Sequence, residues 1–189
     1  CNPGAKERDD PRFKGAWDGA LAMFRAYRAK GAPIGLAPDP RTGHECGDSR
    51  YLAVPFFDAC LALRLPETGV KLKAVDAKAG WRAELLSDTA VPAGEFKGEA
   101  EGSVWLPNER VAKAWAEYVK TGAVGDATPP PAPTKVKLAT QPDGSIAVTW
   151  DAEADVESGL RGFIVRRDGK DVATIPEKPV GRFGRPLFQ

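Results

Sequence analysis

The stretch PIGLAPDPRTGHECGDS, residues 33–49, contains the strongest indication of the fold of the first part of the chain. Residues 33–37 are apolar and bounded by proline and glycine, which is typical of a buried strand in a parallel sheet. A polar loop from Asp39 to Arg50 follows. In open α/β sheets, ligands bind at this carboxyl edge of the strands. The loop is therefore a candidate functional site.

Helical patterns flank this stretch. Apolar residues recur at helical spacing over about residues 14–30, and Gly31 can end that helix. A second helix is expected to begin after Asp48 or Ser49 as its N-cap. The order helix, strand, loop, helix predicts an α/β domain with a mostly parallel sheet.

The sequence between the second helix and the linker is less informative. Residues 66–105 show little periodicity and are expected to form irregular surface structure. Pro107 can open a further helix, which Gly122 would end. We expect this helix to pack on the first domain.

A proline-rich linker divides the chain, so the predicted domains are residues 1–124, the linker 125–133, and residues 134–189. Beyond the linker the apolar pattern has period two. Hairpins are predicted around Asp143-Gly144 and Asp168-Gly169. These features predict an antiparallel β-sandwich. It would be incomplete, because four strands are evident and a sandwich of this type needs about seven.

Composition excludes several classes of protein. Of the 189 residues, 27 are Lys or Arg and 26 are Asp or Glu, so the formal net charge is +1. This near-neutral balance, without a basic block, argues against a nucleic-acid partner. No apolar run approaches the ~20 residues that span a bilayer, so no membrane span is expected.

His44 is the one histidine of the chain and lies in the segment Thr42-Gly-His-Glu-Cys-Gly-Asp-Ser49. A lone loop histidine can simply be solvated, but the two flanking glycines and the position after a strand favour a functional role. A zinc site would use His44 and Cys46 with Cys1 and Cys60 as further ligands, but the sequence has no Cys-x-x-Cys and no second histidine. We therefore expect no metal and no cofactor. A disulfide between Cys46 and Cys60 stays open.

Residues 1–66 resemble the last part of an α/β-hydrolase, in which nucleophile, acid and histidine follow in that chain order. Gly4-Ala-Lys-Glu7 is similar to the turn that bears the acid in that family, and Gly43-His44 is similar to its histidine loop. The resemblance implies that Glu7 is the triad acid, with Asp9 and Asp10 as alternatives. It also implies that Glu45 and Asp48 line the site, although solvation is the more ordinary explanation for two acidic loop residues.

The nucleophile is not evident in this sequence. None of the five serines lies in Gly-x-Ser-x-Gly, and Cys60 lies in an apolar helix pattern where a cysteine is usually inert. In the family the nucleophile precedes the acid. We therefore expect the chain, which begins at Cys1, to be part of a longer protein that carries the serine.

The second domain resembles a fibronectin type III module of the kind appended to secreted bacterial enzymes. The resemblance rests on Pro131-Ala-Pro133 before the first strand, on Trp150, on the segment from Glu157 to Phe163 and on the turn at Asp168-Gly169. It implies a spacer, or a module that binds a carbohydrate or a surface partner, in a secreted or periplasmic protein.

Together these features predict a fragment of a secreted serine hydrolase that acts on small or polymeric carboxylic esters. The fragment alone would be inactive. The alternatives are a peptidase built on the same triad and a non-catalytic surface or polymer-binding protein with a degenerate hydrolase scaffold.

Overall fold

The computed structural model describes residues 1–45, 47–76, 78–125, 129–153 and 160–177. The chain divides into two compact units, Cys1–Gly125 and Asp126–Gln189. Three residues of the predicted linker, 126–128, lie outside the described part.

The described part of the first unit contains three α-helices, and all three were predicted from the sequence. They are α1 (Lys14–Arg28), α2 (Arg50–Arg64) and α3 (Glu109–Thr121). Each end of α3 has a specific cap: the Asn108 side chain accepts a hydrogen bond from the Val111 N–H, and Gly122 takes the left-handed conformation with φ 71°. At the start of α2, Ser49 is the N-cap but makes no side-chain capping hydrogen bond.

The sheet of the first unit is antiparallel, so the predicted parallel α/β-hydrolase sheet is wrong. Its strands are β1 (Trp81–Ala83), β2 (Ala90–Pro92) and β3 (Val104–Leu106), in the order β2-β1-β3. Strands β1 and β2 and the first two residues of β3 lie in residues 66–105, where irregular structure was expected. Each strand is three residues long, too short to give a readable alternation of apolar and polar residues.

The apolar segment 33–37 forms no regular strand. Among the described residues, parallel pairing outside the named strands is one isolated bridge, between Gly4 and Asp39. Pro33 and Pro38 bound the segment and lack an N–H donor, which limits the pairing. The segment instead lies against β3, where the backbone N–H of Trp105 donates to the Ile34 carbonyl over 3.1 Å.

The core of the first unit joins the antiparallel sheet to α1, α2 and α3. Trp115 of α3 is buried, and its indole N–H donates to the Leu36 carbonyl over 2.7 Å. This hydrogen bond holds the segment that precedes the histidine loop onto α3. The other large apolar side chains that are almost completely buried are Phe24, Leu36, Val104, Trp105, Leu106, Val111 and Tyr118.

In its described part, the second unit contains the two predicted hairpins as separate two-stranded sheets, so the predicted sandwich is not formed there. Strands β4 (Thr134–Thr140) and β5 (Ile146–Asp151) form one two-stranded sheet, and β6 (Phe163–Arg167) and β7 (Lys170–Ile175) form another. Trp150 of β5 contacts Phe163 of β6 edge to face, with ring centroids 5.0 Å apart. Of the segment 157–163 that carried the fibronectin resemblance, residues 157–159 lie outside the described part.

No helix in the described part of the chain is long and apolar enough to cross a membrane.

Gly4 provides a test of how the first unit closes. A Cβ on Gly4 would overlap the carbonyl oxygens of Gly43 and Thr42, which are backbone atoms that cannot rotate away. Gly4→Ala should therefore lower the free energy of unfolding by about 1–3 kcal/mol in denaturant titrations, the usual cost of overpacking. Gly19→Ala is the matched control, because a Cβ there meets nothing within 4 Å and lies inside α1. The control should stabilise the protein slightly. Equal stability of the two variants would contradict the close approach.

Candidate active site

Glu7 is positioned by the backbone of the first five residues. The Ala37 N–H donates to the Cys1 carbonyl, the Asp39 N–H donates to the Pro3 carbonyl, and the Ala5 N–H donates to the Asp39 carbonyl. A 3-10 helix, Ala5–Asp9, begins within this pairing. It carries Glu7, whose side chain is only 7% exposed.

The loop that carries His44 is anchored at its base by a buried carboxylate. Asp39 accepts hydrogen bonds from the Arg41 N–H over 2.9 Å and from the Tyr118 hydroxyl over 3.2 Å. Burial, followed by the charge of Asp39, raises the pKa of Tyr118, so its hydroxyl stays a donor. The Arg41 guanidinium also donates to the carbonyl of Gly122, which ties the loop to the end of α3.

The structure brings Glu7 and His44 together although 37 positions separate them in sequence. The distance from His44 Nδ1 to Glu7 Oε1 is 3.0 Å. An ionised carboxylate can only accept, so the imidazole donates its proton from Nδ1. The lone pair of the neutral ring is then on Nε2. The His44 side chain is 55% exposed, so solvent has access to the imidazole.

An aromatic ring covers one face of the imidazole. Phe13 stacks on His44 with ring centroids 4.5 Å apart and an interplanar angle of 11°. The sequence did not point to Phe13. It lies 31 positions from His44, directly before α1, and no local pattern links the two.

The alternative acids do not face the histidine. Asp9 is exposed and pairs with Arg8, with the carboxylate oxygen 3.2 Å from the guanidinium. Asp10 pairs with Arg12 at 2.8 Å, and these hydrogen bonds lower the pKa of Asp10. Of the three carboxylates considered, Glu7 is the one that contacts His44.

The two predicted site-lining residues differ in their surroundings. Asp48 forms an ion pair with Arg41 at 2.9 Å, which ties it to the base of the loop. Glu45 directly follows His44 and is half-buried, and its N–H donates to the Gly43 carbonyl over 2.9 Å.

No serine in the described part of the chain is hydrogen-bonded to His44. Ser87, Ser103 and Ser145 use their hydroxyls in local hydrogen bonds, to Thr89, Ala100 and Asp143 respectively. Ser49 begins α2, and Ser158 lies outside the described residues.

Cys60 is not a suitable nucleophile either. Cys60 has a free, half-buried thiol, and burial raises its pKa, which disfavours the reactive thiolate. Cys1 is also free. Cys46 lies outside the described residues, and with it the proposed Cys46–Cys60 bridge. Within the described ranges, no three His, Cys, Asp or Glu side chains are grouped so that they could hold a metal ion.

Comparison of the chain with protein-family models, curated proteins and solved structures gives no match. The function is therefore inferred from the geometry of the site.

The Glu7–His44 contact can be tested on this chain alone. Glu7→Ala removes the acceptor for the Nδ1 proton, so the fraction of neutral imidazole protonated at Nδ1 should fall. Because the chain has one histidine, two-dimensional ¹H–¹⁵N spectra of the ring nitrogens measure this fraction without assignment ambiguity. Asp9→Ala is the control and should leave the spectrum unchanged. A spectrum that responds to Asp9→Ala and not to Glu7→Ala would mean that the acid is wrongly assigned.

Proposed function

We propose that this chain supplies the general base and its orienting carboxylate to a serine hydrolase that cleaves carboxylic esters. The observation that carries the proposal is the contact between a buried Glu7 and the Nδ1 side of a half-exposed His44. A carboxylate on one ring nitrogen and accessible space at the other is the arrangement that a catalytic histidine needs.

His44 would act on protons in both halves of the reaction. Nε2 takes the proton from a serine hydroxyl as its oxygen attacks the ester carbonyl, and the resulting imidazolium returns that proton to the leaving alkoxide. In the second half Nε2 takes a proton from water, which attacks the acyl group, and returns it to the serine oxygen. The histidine thus ends each cycle in its starting state.

Glu7 would keep the imidazole in the correct tautomer and stabilise the imidazolium once it forms. It does not itself take the proton. Burial suits this role, because the interaction between carboxylate and imidazolium is stronger where water is excluded. The 3-10 helix that bears Glu7 is held by the same backbone pairing that holds the histidine loop, so the two side chains are fixed to one support.

The serine and the oxyanion hole are proposed to come from polypeptide outside these 189 residues. Ser87, Ser103 and Ser145 are engaged elsewhere, and no serine of the sequence lies in a Gly-x-Ser-x-Gly turn. We therefore expect no serine-type turnover from the 189 residues in isolation.

The test is the activity of the full-length protein encoded by the open reading frame that contains these residues. It should hydrolyse p-nitrophenyl esters and react with a fluorophosphonate, and His44→Ala should lower kcat by about three orders of magnitude or more. Glu7→Gln should be severe but milder, because an acid that only orients and stabilises costs less when it is lost.

Asp9→Asn is the matched control, since it removes an exposed carboxylate two positions from Glu7. It should stay within about tenfold of the parent in kcat, as expected for a residue outside the reacting groups. Full activity in His44→Ala would end the proposal. So would fluorophosphonate-sensitive ester turnover by the isolated 189 residues.

A further inference from the structure

We infer that Phe13 is a positioning residue that fixes the plane of the His44 imidazole, so that Nε2 points in one direction. The catalytic consequence rests on the proposed function, whereas the orientation of the ring is a property of this chain alone.

A single hydrogen bond does not fix an imidazole. The contact between Nδ1 and Glu7 sets one atom of the ring, but rotation about the bond from Cβ to the ring is soft, because such torsions have broad minima. Phe13 removes that freedom, because its ring stacks nearly parallel to the imidazole. The interplanar angle is 11° and the ring centroids are 4.5 Å apart. The hydrogen bond and the stack together define both the tautomer and the plane.

The segment that carries Phe13 is itself held in place. The Phe13 N–H donates to the Asp10 carbonyl over 3.0 Å, and the Asp10 carboxylate accepts from the Arg12 N–H over 3.0 Å. The Arg12 guanidinium lies 5.2 Å from the centre of the Phe13 ring and pairs with Asp10. Asp10, an alternative acid in the sequence analysis, thus belongs to the turn that places Phe13.

Glu7 and Phe13 therefore approach the histidine from one short stretch of chain. Glu7 lies on the 3-10 helix Ala5–Asp9, and Phe13 is the N-cap of α1. Both are joined by the turn at Asp10, so residues 7–13 set the position of Glu7 relative to Phe13 around the imidazole. A change in this turn would alter the direction of Nε2 without removing either partner.

The first experiment measures the ring itself in the 189-residue chain. Phe13→Leu keeps an apolar side chain but loses the stack, so the His44 ring protons should move downfield as the ring-current effect disappears, and the fraction protonated at Nδ1 should fall. Phe13→Tyr keeps the stack and should restore both signals. Phe57→Leu removes an exposed aromatic ring from α2 and is the control. Thermal unfolding of each variant confirms that it is folded.

The second experiment measures kcat and KM in the complete ester hydrolase. Phe13→Leu should lower kcat by about two- to tenfold with KM unchanged, the range expected when one aromatic contact that orients a base is lost. Phe13→Tyr should recover the parent rate. Unchanged ring signals in Phe13→Leu overturn the inference, and so does a parent-like kcat in a variant whose ring signals have moved. If His44→Ala retains full activity, the proposed function fails, while the ring signals still decide whether Phe13 orients the imidazole.

Discussion

The structure of the site depends on the backbone pairing between residues 1–5 and the segment 35–42. This pairing brings the Gly4 backbone so close to Gly43 that no side chain fits between them. The Lys6 N–H continues it by donating to the Thr42 carbonyl over 3.1 Å. Because the acid follows Gly4 by three residues and the histidine follows Gly43 by one, this contact determines the distance between Glu7 and His44.

The electrostatics of the pair follow from its burial. Removing a carboxylate almost completely from water costs free energy unless the carboxylate is hydrogen-bonded. Glu7 meets this requirement with His44, whose imidazole is half exposed. The carboxylate is therefore enclosed, while more than half of the His44 side chain stays exposed. This asymmetry distinguishes the pair from an ordinary surface ion pair, such as Arg8 with Asp9.

The sequence predicted the local parts of this structure better than the non-local ones. Helical spacing and glycine stops gave α1, α2 and α3, and turn residues gave both hairpins. The resemblance of Gly4-Ala-Lys-Glu7 to an acid-bearing turn, together with the single histidine, pointed to the two residues that the structure brings together. The parallel sheet was wrong because the segment 33–37 looks like a buried strand by composition, whereas its neighbours are three-residue antiparallel strands without periodicity. Phe13 could not be predicted, because its contact with His44 depends on the turn at Asp10 and on tertiary pairing.

The most direct measurement of whether Glu7 and His44 form one catalytic unit is a double-mutant cycle on the kcat of ester hydrolysis, the proposed activity, in the full-length protein. The cycle compares Glu7→Gln, His44→Ala and the variant that carries both substitutions. If Glu7 acts only through the imidazole, the double variant loses no more activity than His44→Ala alone, since residues that act as a unit are strongly non-additive. If the two losses multiply instead, Glu7 acts independently of His44, and the assignment of the pair is contradicted.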